Sequence, residues 1–560
     1  MNENPSAVET IKAESRGLRG QIAAELADRG TRFSDAQAQL LKFHGLYQQE
    51  DRDRRQERKA AGLEKAYQFM VRSRIPGGAL TARQYLVEDA LASRFANGTL
   101  RITTRQGLQL HGVLKGNLRP ALREINEALL STLAACGDVN RNVMACPAPF
   151  VHGPHRSIQA VAHSIAERLA PRTGAYHEIW LNGERVRSVG GDTEPLYGAT
   201  YLPRKFKIGV AHPRDNCVDV YTQDIGLVAN VEQATLSGFT LLVGGGLGAT
   251  HGKAETYARL ATPLCFADAN DVPDVVEAIV TIQRDFGDRS NRRHARMKYL
   301  VQERGIVWFR TELEARLGRR LADPQPVAFE SVDDHLGWHE QGDGRCFLGL
   351  FVENGRVKDE GSVRLRTALR AVLEAFSFDV RLTGQQNILL TGVEHGQRAA
   401  VEQCLASHGV VADHGSLGVR RDAMACPALP TCGLALADAE RALPDVVARI
   451  QADADALGLG GERLSIRMTG CPNGCARPYM GDIGFVGTSK DLYNVHVGGD
   501  RENTRLNVLF ARAVPVQRLH EVVRLLLLAW RDGRQTGESF GDFCHRASVE
   551  LLERAPAEAS

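Results

Sequence analysis

Four cysteines stand in two close pairs, Cys426 with Cys432 in "MACPALPTCG" and Cys471 with Cys475 in "MTGCPNGCARP". Proline, glycine and asparagine surround both pairs, and these residues hold a backbone in the tight turns that gather thiols. A structural zinc ion prefers cysteines two to four residues apart, which the Cys-x5-Cys spacing does not match. A redox dithiol needs one pair and leaves the other unexplained. Two pairs in tight turns are what a four-thiolate iron–sulfur cluster requires, with a zinc-stabilised structural protein as the rival reading. The other seven, Cys136, Cys146, Cys217, Cys265, Cys346, Cys404 and Cys544, read as small buried apolar residues.

A second kind of chemistry is written in cations. The segment Leu100 to Val113 alternates with period two, as a strand does, so that Leu100, Ile102, Leu108 and Leu110 share one face. Arg101, Thr103, Arg105, Gln109 and His111 share the other. Such a face is either wetted or suited to a ligand with several carboxylates, because guanidinium forks match carboxylate geometry. Further basic clusters occur at Arg72 and Arg74, at Arg141 beside Asn140, and at Arg204, Lys205 and Lys207. In the last, Lys205 and Lys207 share a strand face while Phe206 and Ile208 point the other way. A small anionic substrate needs converging cations of this kind. "LLVGGGLGATHG" offers Gly244, Gly246 and Ala249 as a relaxed dinucleotide fingerprint, but a structural turn is the better reading.

The elements that would position these residues are written twice. Met-Ala-Cys-Pro-Ala at Met144 recurs at Met424, and "LRITTRQGLQLHGV" at Leu100 matches "VRLTGQQNILLTGV" at Val380. "DIGLV" at Asp224 recurs as "DIGFV" at Asp482, and "VGGG" at Val243 as "VGGD" at Val497. Matches in the same order argue for two related halves about a pseudo-two-fold axis, with a site between them. "ADPQPVAFESVDD" reads as the linker, and the polar stretch to Lys65, with its run "QQEDRDRRQERK", as a solvated or partner-docking N-terminal arm.

Lys plus Arg is 69 against 67 Asp plus Glu in 560 residues, so the molecule as a whole does not match nucleic acid or an anionic membrane. Any basic site is local. With 43% hydrophobic and 24% charged residues, the composition is that of a globular protein of two or three domains. The start carries no secretory pattern, and eleven scattered cysteines fit reduced thiols, so a cytoplasmic location is expected.

"CPALPTC" with "TGCPNGCARP" resembles the cluster signature of the siroheme-dependent sulfite and nitrite reductases, and "TTRQGLQLHGVLK", "CGDVNRNV", "YLPRKFKIGV" and "ESFGDF" extend the likeness to the assimilatory sulfite reductase hemoproteins. The resemblance implies an α+β fold: a duplicated unit with pseudo-two-fold symmetry, ferredoxin-like half-domains at 66–130 and 336–405, and siroheme-binding domains at 131–325 and 415–560, after an arm at 1–65. It implies siroheme and a [4Fe–4S] cluster held by Cys426, Cys432, Cys471 and Cys475, with Cys475 bridging cluster and haem iron. Sulfite falls to Arg72, Arg141, Lys205 and Lys207, and siroheme carboxylates to Arg101, Arg105, Gln109, His111, Asn140 and Arg204. The implied activity is six-electron reduction of sulfite to sulfide. The N-terminal "IKAESRGLRGQIAAEL" resembles hemoproteins served by an NADPH-oxidising flavoprotein, whereas "LGWHEQGDG" and "CARPYM" are similar to the ferredoxin-dependent type. Family nitrite reductases have Asn at the position of Lys207, which favours sulfite. Alternatives are a ferredoxin–nitrite reductase and a haem-free iron–sulfur electron carrier.

Overall fold

The computed structural model describes residues 4–172, 178–181, 184–188, 194–233, 235–412 and 415–554. Residues 1–3 of the expected arm and 555–560 of the last expected domain lie outside the described residues. Four five-stranded sheets carry the fold. One runs in the order Met144–Ala145, Ile208–Ala211, Ile225–Glu232, Thr235–Val243, Thr262–Asp268, and another in the order Met424–Ala425, Ile466–Thr469, Ile483–Ser489, Leu492–Val497, Val508–Pro515. Both begin parallel and finish antiparallel, so the sheets are copies. Helices His155–Arg168 and Val272–Phe286 cover the first, and Leu443–Ala456 and Leu519–Gly533 pack together on the second.

The other two sheets complete each other. The first orders Leu46–Glu50, Tyr67–Arg72, Leu108–Val113 and Leu100–Ile102, and then takes Arg356–Val357 from the second half. The second orders Gly337–Glu340, Arg345–Leu350, Ile388–Glu394 and Asp379–Leu382, and takes Ala79–Leu80 from the first. Leu100 pairs with Val357 in one and Val380 with Leu80 in the other. One continuous core results, joining Phe69, Leu100 and Leu110 to Leu348, Val380 and Ile388. Helix Ala82–Phe95 opens with a capping box between Thr81 and Gln84 and packs against its counterpart, Leu365–Phe376.

The expectation of one strand over Leu100 to Val113 is corrected to a hairpin, because Gln106 takes a left-handed φ of 55° in the turn 103–107. Side-chain parity survives the turn, and Leu100, Ile102, Leu108 and Leu110 all enter the core. The N-terminal segment is also no arm. Phe33, Leu41 and Leu46 enter the shared core, and Leu46–Glu50 is a strand paired with Tyr67–Arg72. The dense charges after it concealed a strand of only five residues.

Reciprocal strand exchange demands close backbone approach at Gly355, where φ is +73° and an added Cβ would lie 2.3 Å from the Ile102 carbonyl oxygen. Gly361 has φ of +56° with nothing within 4 Å. Gly361→Ala is expected to cost about 1 kcal/mol, the price of a left-handed φ alone. Gly355→Ala adds an overpacking cost of about 1–3 kcal/mol. Thermal melting of the two variants checks this: Gly355→Ala should melt several degrees lower, and equal midpoints would remove the close-approach argument.

Candidate cofactor and anion site

Each cysteine pair hangs from the end of a short parallel strand. Met424–Ala425 delivers Cys426, whose N–H donates to the Met468 carbonyl at 3.2 Å, and Ile466–Thr469 delivers Cys471 two residues on. Ala428 takes a φ of 48°, and the Cys432 N–H closes a turn on its carbonyl at 2.8 Å. Gly474, at φ +64°, turns the chain between Cys471 and Cys475. The Gly470 N–H donates to Cys426 Sγ and Asn473 Nδ2 to Cys471 Sγ, each at 3.4 Å. The four sulfurs line one cavity of about 410 Å³.

Burial pushes the Cys426, Cys432 and Cys471 thiols up, the last to about 11, and the neighbouring Cys475 pushes them further. Such thiols ionise when a cationic metal centre shares their site. A single zinc would draw four sulfurs to about 4 Å of one another. Among the described residues, no set of three or more ligand atoms within 4.8 Å of one another includes these cysteines. Sulfurs around a common cavity, too far apart for one ion, fit a [4Fe–4S] core.

The opposite wall is basic. The cavity is lined by Lys42, Arg72, Arg101, Arg141, Arg204, Lys205 and Arg292 against one carboxylate, Asp138. Burial opposes ionisation of Asp138, but Arg292, Lys12 and Arg204 hold it below the usual carboxylate range. The cation excess lowers Lys205 well below an ordinary lysine, first through burial and then through Arg204, Lys207 and Arg141. Arg204 is pulled down to about 10 by burial and Arg292. His111 is driven well below its ordinary value by burial and by Arg356, so it stands neutral. An anion with several carboxylates relieves this strain, and the acids of a siroheme fit the donor set.

The strand pairing that sets Arg72 opposite Gln109 lets the Gln109 carbonyl accept from Arg72 Nε and Nη2 at 3.2 and 2.6 Å. The Arg72 guanidinium also lies 5.9 Å from the centre of the Tyr47 ring. Arg141 donates to the Gly137 carbonyl at 3.2 and 3.3 Å. Arg101 is committed in part, with Nε 3.1 Å from Glu440 Oε2 and Nη2 2.8 Å from the Ala425 carbonyl.

The expected residues do not all meet in this cavity. Arg105 and Lys207 line a smaller space of about 20 Å³, which shares Thr104, Lys205, Asn473 and Cys475 with the larger one. The hairpin turn swings Arg105 out of line, so that it donates to Gln223 Oε1 at 2.6 Å and sits at about 9 through burial and Arg141. Lys207 is lowered by burial and by Arg105 and Arg296. Asn140 lines neither space; it is fully buried, with both amide atoms unpaired. The glycines after Val243 serve packing. No helix follows them, and a Cβ on Gly245 would lie 2.2 Å from the Tyr221 carbonyl oxygen. That loop instead abuts the cysteines, with the Ala249 N–H donating to the Pro472 carbonyl at 2.9 Å.

Sequence reasoning missed Arg477, Asp219, Glu440, Tyr47 and Arg52. Arg477 pairs with Asp219 of the first half and donates to the Thr104 and Gly384 carbonyls at 2.9 and 2.7 Å, which holds the cysteine loop on both hairpins. Its signal was its place two residues after Cys475. Arg52, inside the supposed arm, donates to the Cys432 and Ala435 carbonyls at 3.1 and 2.6 Å, and nothing local marked it.

A duplicated α+β scaffold with four thiols facing a cationic cavity defines an iron–sulfur redox protein. The family model described as the nitrite and sulphite reductase 4Fe-4S domain matches residues 161–321 and 418–555, and that of the nitrite/sulfite reductase ferredoxin-like half domain matches 62–128 and 339–408. The chain belongs to the nitrite and sulfite reductase family, whose siroheme and [4Fe–4S] cluster are its cofactors. It is 49% identical to the sulfite reductase [NADPH] hemoprotein beta-component of Myxococcus xanthus, over 97% of this chain and 96% of that one. It is 47% identical to the sulfite reductase [ferredoxin] of Synechococcus elongatus, over 98% and 90%. The solved structure of Mycobacterium tuberculosis NirA superposes with a TM-score of 0.79 at 25% identity, covering 98% of each chain. Cys432→Ser should leave the protein folded but strip acid-labile sulfide to near background. Sulfide and iron assays on the purified variant check this, and full retention would remove Cys432 from the ligand set.

Proposed function

We propose that this chain is an assimilatory sulfite reductase hemoprotein that reduces sulfite to sulfide with six electrons. The observation that carries the reading is one cavity walled by four cluster-type cysteines on one side and by an excess of cations over carboxylates on the other. The names of the Myxococcus and Synechococcus relatives accord with it.

In this reading Cys426, Cys432, Cys471 and Cys475 would hold the [4Fe–4S] cluster, and Cys475 would also contact the siroheme. Arg101, Arg105, Gln109, His111, Asn140 and Arg204 hold the siroheme carboxylates; for Asn140 the support is its pair of unsatisfied buried amide atoms. When bound, the siroheme and cluster would supply the electrons one at a time. Arg72, Arg141, Lys205 and Lys207 bind the anion. Their positive charge offsets the repulsion between an anionic substrate and added electrons, and it neutralises oxygen as S–O bonds break. Gln109 and Tyr47 aim the Arg72 fork. Burial and neighbouring cations make the Nζ atoms of Lys205 and Lys207 more acidic than ordinary lysines, which suits them to deliver protons to departing oxygens.

The electrons come from another protein. An NADPH-oxidising flavoprotein is the first choice, on the N-terminal likeness stated above. The second reading is ferredoxin, favoured by "LGWHEQGDG" and "CARPYM" and by the name of the Synechococcus relative. A cytoplasmic location rests on the cysteines, all eleven of which are free.

Purified holoenzyme should form sulfide from sulfite with reduced viologen, and the rates with NADPH plus flavoprotein and with reduced ferredoxin rank the donors. Lys207→Asn should lower sulfite turnover on the order of 100-fold, as for loss of one preorganised charge contact, and nitrite turnover by less. Equal losses on both substrates would refute the specificity role, and absence of sulfide would refute the reaction.

A further inference from the structure

The first half has not simply lost its cysteine loops. With Asp224 laid on Asp482, Cys217 falls on Cys475 without a gap, as Tyr221 falls on Tyr479, and Cys146 already falls on Cys426. His152 takes the place of Cys432, and Pro213 that of Cys471. The counterpart site therefore cannot hold a four-thiolate cluster, yet it is crowded with ligands.

A Cys146 sulfur, an Asp215 carboxylate oxygen and a His335 ring nitrogen lie within 4.8 Å of one another, all in buried residues. His335 Nε2 is 3.7 Å from Asp215 Oδ2 in residues only 8% and 7% exposed, and the polar neighbours these atoms have are each other and the thiols of Cys146 and Cys217. The remaining polar atoms of both side chains are engaged from behind. Asp215 Oδ1 accepts from the Asp333 N–H at 3.0 Å, and His335 Nδ1 lies 3.5 Å from Asp333 Oδ2. Asp333 thus stands behind Nδ1, as carboxylates stand behind metal-bound histidines, while Nε2 faces Asp215 and Cys146. Cys217, His155 and His335 are the polar side chains that face the Cys146 thiol. His155 Nδ1 is 3.3 Å from the His152 carbonyl and its ring stacks on His212 at 4.6 Å. Phe150 packs edge-on against His335 at 5.5 Å, and beyond Phe150 and His155 a cavity of about 240 Å³ gives an approach.

We propose that Cys146, Asp215, His335 and His155 form a resident site for one divalent ion of the zinc class, at the pseudo-symmetric counterpart of the cluster. One thiolate, two imidazoles and one carboxylate are a zinc donor set; calcium or magnesium would take oxygens alone. Binding displaces the proton that Cys146 and His335 share, and Cys217 donates to the thiolate. Cys146 and Cys217 are buried in the first-half core, as small apolar residues are, and in this site their thiols also face polar groups. Since His335 follows the linker between the copies, the ion fastens the second half to the first, independently of the reaction.

The test is zinc content of the holoenzyme, grown with zinc and then treated briefly with chelator, together with zinc-edge X-ray absorption. A single retained zinc per chain with one sulfur and otherwise nitrogen or oxygen neighbours is expected. Cys146→Ala and Asp215→Asn should each lose it while iron and the porphyrin spectrum stay unchanged. If Cys146→Ala fails to fold, Asp215→Asn and the wild-type absorption edge decide. Zinc-free wild-type protein, a sulfur-free zinc shell, or zinc retained in Asp215→Asn would overturn the assignment.

Discussion

Two pairs of residues change sides, and most of the architecture follows from it. Ala79–Leu80 completes a sheet of the second half, and Arg356–Val357 completes one of the first. The exchange covers the Leu100–Ile102 edge of one sheet and the Asp379–Leu382 edge of the other with residues of the opposite copy. The exchange is reinforced by side chains. Gln106 donates to the Leu382 carbonyl at 2.9 Å, and its repeat Gln386 donates to the Ile102 carbonyl at 3.4 Å. Because Arg356 pairs with Arg101 in register, the same exchange sets two guanidiniums on Glu440, whose oxygens they meet at 2.6 to 3.1 Å. Glu440 follows the cysteine loop, so sheet pairing, cation wall and thiols share one frame.

Electrostatics then decides what the frame can hold. Buried carboxylates are matched to cations on the structural side: Asp224 with Arg296, Asp219 with Arg467 and Arg477, Asp89 with Arg366. Breaking such a buried pair costs about 3–5 kcal/mol, since the remaining charge is left desolvated. At the cavity the matching is incomplete: of the seven lining cations Arg292 pairs with Asp138 and Arg101 with Glu440, and the cations outnumber these carboxylates. The fold bears a local excess of positive charge that a polyanionic cofactor and an anionic substrate neutralise.

Duplication supplied both walls, and divergence separated their tasks. The first copy kept Arg105, Gln109 and His111 where the second has Gln385, Leu389 and Thr391. The second kept four thiols where the first has two cysteines, a histidine and a proline. The two loops remain joined across the axis by Asp219 and Arg477, which occupy the same position of the repeat with opposite charge.

By itself the sequence determined the duplication, the cysteine set, the apolar face of the Leu100 to Val113 segment and the cationic character of the first half, since each is carried by local spacing or by the repeat. It did not determine the sharing of sheets, the burial of the N-terminal segment, the separation of Arg105 and Lys207 from the larger cavity, or the fastening of the cysteine loops by Arg52 and Arg477. These depend on contacts between residues hundreds of positions apart, such as Arg52 with Cys432, and no local pattern encodes such a distance. Spacing fixes which groups a strand presents and on which face. Only the packing of the two copies decides which cavity each group enters and which charges are left without a partner.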